Sequence, residues 1–130
     1  MRHLLSLSII ITLVLGLFHG PLNCFGQITG AVTKNGQQSI KILLKIPGKA
    51  PDTAIVSIDA PSGLQINGSN PGFSKISQDK NQAQWLLTGL QTGTKEIIVN
   101  FSNNVNPGSL KIVVRYKDAE TGKTVEFQIK

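Results

Sequence analysis

From position 28 onward, apolar and polar residues alternate with a period of two. That is the spacing of strands with one face in a core and the other in water. The last stretch is the cleanest: Val125, Phe127 and Ile129 alternate with Thr124, Glu126, Gln128 and Lys130. Before it, Leu110, Ile112, Val114 and Tyr116 alternate with Lys111, Val113, Arg115 and Lys117. The link 118–122 (DAETG) ends in Gly122. Glycine accepts the positive φ of a tight turn, so the two stretches predict a hairpin.

The same pattern recurs upstream. Ile40, Ile42, Leu44 and Ile46 alternate with Lys41, Leu43 and Lys45 until Pro47 and Gly48 break the run. Val56 and Ile58 share a side in 53–59, Trp85 and Leu87 in 82–88, and Ile97, Val99 and Phe101 in 95–102. A first strand over 28–34 leads into Asn35 and Gly36, a two-residue hairpin signal. Shorter extended pieces are expected at 64–67 and 73–77, with a turn at 79–81. No helical stripe runs through this part of the chain. About seven or eight strands with a turn signal roughly every ten residues predict an all-β fold. Its expected form is a single antiparallel two-sheet sandwich of immunoglobulin-like kind.

Residues 53–130 resemble immunoglobulin-like sandwich modules of secreted bacterial proteins, in the style of Bacteroidetes. The resemblance rests on APSGL (60–64), the single Trp85, the G-x-x-x-G-T turn (89–94) and YKDAETGK (116–123). It is a likeness of fold. The disulfide that pairs with a core Trp in antibody domains is missing, and fold alone carries no function.

The first residues follow a different rule. Arg2 and His3 precede a nearly unbroken apolar run over 4–18, which Gly20 and Pro21 end. The run has the length of a signal-peptide core and is short for a membrane span. Small residues at Cys24 and Gly26 place the expected cleavage before Gln27. The expected organisation is therefore a signal peptide over 1–26 and one domain over 27–130. The protein would be secreted, or held in the periplasm or cell envelope. Membrane attachment would follow only if Cys24 were lipidated, and Asn23 and Pro21 fit that signal poorly.

This division changes the chemistry available. The chain has 130 residues, two His and one Cys. His3, His19 and Cys24 all fall within 1–26. The expected domain then has no imidazole and no thiol. Ser-His-Asp and Cys-His catalysis, zinc or copper ligation by those groups, and disulfides are excluded from it. No enzyme activity, cofactor or metal is expected. Asp118 and Glu120 read as turn chemistry rather than a catalytic pair.

Binding is the remaining class. Net charge is +6, and Lys41, Lys45, Lys111, Arg115 and Lys117 recur at polar strand positions. They form a basic patch if their strands align, or protect strand edges from aggregation. Nucleic acid is disfavoured for an exported protein without exposed aromatic platforms. Leu43, Ile55, Leu86, Ile98 and Val113 occupy nominally outward positions and are the candidate partner face. Trp85 and Tyr116 are core residues by register and are also the candidate ligand aromatics. Thr53, in Asp-Thr-Ala, and Asn67, in Asn-Gly-Ser, are candidate glycan acceptors.

The sequence thus predicts an exported, non-catalytic binding or assembly module acting through a sheet face or edge strand. A protein partner is expected first. The alternatives are a carbohydrate-binding module and a chaperone or inhibitor of an extracellular fibre.

Overall fold

A computed structural model describes residues 27–130; the expected signal peptide and Cys24 lie outside the described residues. The strands are β1 Thr29–Lys34, β2 Ser39–Ile46, β3 Thr53–Asp59, β4 Ile66–Asn70, β5 Lys75–Ile76, β6 Gln82–Thr88, β7 Gly93–Phe101, β8 Lys111–Lys117 and β9 Thr124–Ile129. They form two antiparallel sheets, ordered β1-β2-β7-β4 and β5-β6-β3-β8-β9. Both short extended pieces became strands, which takes the total above the expected seven or eight.

The order has a simple logic. In a constant-type immunoglobulin sandwich, strands A, B, E and D make one sheet and C, F and G the other. Here β1, β2, β7 and β4 follow the first order, and β3, β8 and β9 follow the second. The pair β5–β6 is an addition. It leaves the chain between the fourth and fifth strands of that frame and extends the second sheet beyond β3.

Alternation puts one apolar row from each strand between the sheets. Ile40, Ile42 and Leu44 of β2 and Ile97, Val99 and Phe101 of β7 face Val56, Ile58, Trp85, Ile112 and Val114, and all are buried. Removing such a side chain from water contributes roughly 1.5–3 kcal/mol each before entropy is counted. The indole of Trp85 has a polar edge, and that edge is satisfied. Nε1 donates to Ser69 Oγ at 3.0 Å and to the Pro71 carbonyl at 3.1 Å. Phe73 meets the ring edge-on, with centroids 6.2 Å apart. These contacts hold the crossover from β4 to β5 against the core.

The β8–β9 hairpin follows its turn residues. The Asp118 amide donates to the Lys123 carbonyl at 2.8 Å, and Gly122 adopts φ 71°. The β1–β2 connection differs from expectation. It spans residues 35–38 rather than two residues. The core explains the difference. A two-residue turn would set Val32 opposite Ser39 and turn Ile40 and Ile42 away from Val32's face. The observed register sets Val32 opposite Ile42. In a period-two strand a shift by an odd number of positions exchanges the faces, and burial forbids it.

Candidate functional site

The outer face of the five-stranded sheet carries a groove of about 490 Å³. Its floor is made by Ser57 of β3, Gln84 of β6 and Val113 of β8, with Lys75 and Ser77 on one side and Lys111 on the other. The β5–β6 addition supplies one wall. Ser74 and Ser77 amides donate to the Gln84 and Gln82 carbonyls at 2.7 and 2.8 Å, which fixes that wall to the sheet.

The cross-strand register gives the map of this face. Lys75 lies opposite Gln84, Gln84 opposite Ser57, and Ser57 opposite Val113. In the neighbouring row Gln82 lies opposite Asp59, and Asp59 opposite Lys111. Gln82 Nε2 donates to Asp59 Oδ1 at 3.2 Å. Among the described residues the ion pairs are Lys41–Glu96, Lys49–Glu120 and Arg115–Glu126, so neither Lys75 nor Lys111 belongs to one.

The five proposed partner-face residues do not share a face. Ile55, Leu86 and Val113 lie on the five-stranded sheet, whereas Leu43 and Ile98 lie on the other. Ile55 is directly opposite Leu86 and diagonal to Val113, so these three form one apolar stripe beside the groove, which only Val113 of the three lines. Leu86 is 54% exposed. On the opposite sheet, Leu43 and Ile98 form one diagonal of a cross-strand square and Lys41 and Glu96 the other. That ion pair, at 3.7 Å, crosses between the two half-buried apolar residues. Period-two alternation distinguishes inward from outward but carries no information on which sheet a strand joins, which is why the set divided.

The basic positions divide in the same way: Lys41 and Lys45 on the four-stranded sheet, Lys111, Arg115 and Lys117 on the five-stranded one. Trp85 and Tyr116 are 1% and 4% exposed, so neither ring offers a face for stacking a ligand. Both point inward because their strands do, as the register predicts. Thr53 and Asn67 are exposed, at the first residue of β3 and beside a register shift in β4.

The acidic turns are occupied by their own loops. Asp118 accepts from the Glu120 amide at 3.2 Å and from Thr121 Oγ1 at 3.0 Å. Asp79 accepts from Ser77 Oγ at 2.7 Å. The groove residues Ser57, Asp59, Lys75, Gln82 and Gln84 were not marked by the sequence. They are ordinary outward positions until three strands, β5, β6 and β3, bring them together.

Neither a scan against protein-family models nor a search of curated proteins finds a match to this chain.

Proposed function

We propose that the protein is an exported, non-catalytic binding module that meets a partner protein through the outer face of its five-stranded sheet. It acts at the cell envelope or outside the cell. One observation carries the reading: Leu86, the exposed large hydrophobic of the described residues, is continuous with Ile55 and Val113 beside a polar groove. An aliphatic centre with a polar surround is the composition of a protein contact. A sugar-stacking surface requires exposed rings instead, and Trp85 and Tyr116 are buried.

The test is site-specific photo-crosslinking on intact cells of the native host, with benzoylphenylalanine replacing either Leu86 or Leu43. The expected result is a protein adduct from position 86 and none from position 43. No adduct at 86, or equal yield at 43, overturns the choice of face. An adduct removed by polysaccharide hydrolysis and resistant to protease overturns the protein partner.

A further inference from the structure

The geometry points to a particular occupant for the groove: an extended polypeptide segment with two acidic side chains four residues apart and neutral residues between them. This rests on the binding face proposed above and names what that face recognises.

The argument begins with the two lysines. Lys75 is on β5 and Lys111 on β8, and both line the groove. They stand three inter-strand steps apart and two residues out of line along the strands, roughly 16 Å between backbones at the usual spacings. An extended chain advances about 3.3 Å per residue, so four steps cover about 13 Å and the flexible lysine side chains reach across the rest. In an extended segment residues i, i+2 and i+4 point to the same side. Carboxylates at i and i+4 therefore both face the sheet, one for each ammonium.

The middle of the path has different chemistry. It crosses Gln84 and then passes between Ser57 and Asp59, with Val113 to one side of the far end. A small or β-branched neutral residue at i+2 fits above them, with its neighbours' amides within reach of the Gln84 and Ser57 groups.

Asp59 sharpens the selection. It lines the groove opposite Lys111, and its carboxylate accepts the Gln82 amide. A ligand with negative charge along its whole length would set charges against Asp59 and over the neutral Gln84 and Ser57 with no ammonium to offset them. A ligand with charges only at the two ends meets Asp59 only beside Lys111, whose ammonium offsets the repulsion. The groove thereby discriminates spaced acids from a uniform polyanion, whether glycan or nucleic acid.

Fluorescence anisotropy on the purified protein tests this with a defined probe: a fluorescein-tagged peptide Gly-Ser-Glu-Thr-Val-Thr-Glu-Ser-Gly. Controls are the same peptide with both Glu replaced by Gln, and soluble polygalacturonate as a competitor. The Gln peptide should bind about tenfold more weakly, the loss expected from removing charge-assisted hydrogen bonds. Lys75→Glu and Lys111→Glu should each weaken the acidic peptide to a similar degree, whereas Lys45→Glu, on the other sheet, should not. Added salt should weaken binding, since these charges are exposed. Equal binding of the Glu and Gln peptides, no binding of either, or no effect of Lys75→Glu and Lys111→Glu overturns the inference. So does displacement of the peptide by polygalacturonate at lower charge concentration than by unlabelled peptide. Because Lys75 and Lys111 are exposed, unchanged thermal unfolding of the variants separates lost recognition from lost folding. If the position-86 adduct forms while the peptide test fails, the face stands and the acidic rule falls.

Discussion

The Ile28 amide donates to the phenolic oxygen of Tyr116 at 3.1 Å, joining the entry to β1 to the end of β8 across 88 positions of chain. Both residues are buried. The bond gives a core tyrosine a structural task and explains why a phenol, rather than a phenyl ring, stands there.

Tyr116→Phe keeps the packing and removes the acceptor. The buried Ile28 amide is then left without that partner, which should cost about 1–3 kcal/mol. Urea unfolding measures it. Stability within about 0.3 kcal/mol of the parent, well below that cost, would show that the bond contributes nothing.

Gly30 is required by the closeness of β1 and β9. A Cβ there would lie 2.6 Å from Ile129 Cδ1 and 3.1 Å from Leu44 Cδ2. Ile129 can move its end a little, but two side chains press on the same point. Gly30→Val should destabilise by about 1–3 kcal/mol, the usual cost of overpacking. Combining it with Ile129→Ala should recover part of the loss, because the second change removes the atom that clashes.

Trp85 is the single tryptophan, so its fluorescence reports on the core alone. Emission should be blue-shifted and resistant to acrylamide in the folded protein, and become quenchable in one transition with urea. Trp85→Ala should cost about 3–5 kcal/mol. A red-shifted, readily quenched native signal would contradict the burial of the ring.

Leu44 and Leu86 make a contrast between equal side chains. Leu44 has no exposed surface and Leu86 is 54% exposed. Leu44→Ala should cost about 2–5 kcal/mol. Leu86→Ser should stay within about 0.5 kcal/mol, yet lower photo-adduct yield from a crosslinker placed at Val113. Similar destabilisation by both would mean that Leu86 packs within the domain.

The inward rows were legible in the sequence because each is local: Ile40, Ile42 and Leu44 declare their shared side within five positions. So were the ends of most strands, through Pro47, Gly48 and the 118–122 turn. The pairing of strands was not, because it depends on contacts between distant residues. Leu43 and Ile55 have the same local pattern and end on opposite sides of the molecule. The groove was hidden for the same reason. Ser57, Lys75, Gln84 and Lys111 carry no mutual spacing, and only the order β5-β6-β3-β8 makes them neighbours. The β1–β2 turn shows the reverse dependence, where the needs of the core overrode a strong local dipeptide.

The β5 wall gives the molecule a replaceable part. Residues 72–81 contribute only the half-buried Phe73 and Ile76 to the interior, while the strands of the immunoglobulin frame, β6 and the loops that join them bury the rest. The stretch leaves the frame after Pro71 and is secured at its return, where the Ala60 amide donates to the Asn81 carbonyl at 2.8 Å. Its sequence can therefore drift, or be exchanged by an engineer, with those two anchor points and two apolar plugs kept. Such a scaffold resembles a handle with interchangeable bits: one wall of the groove can be rewritten in ten residues while the fold is inherited unchanged.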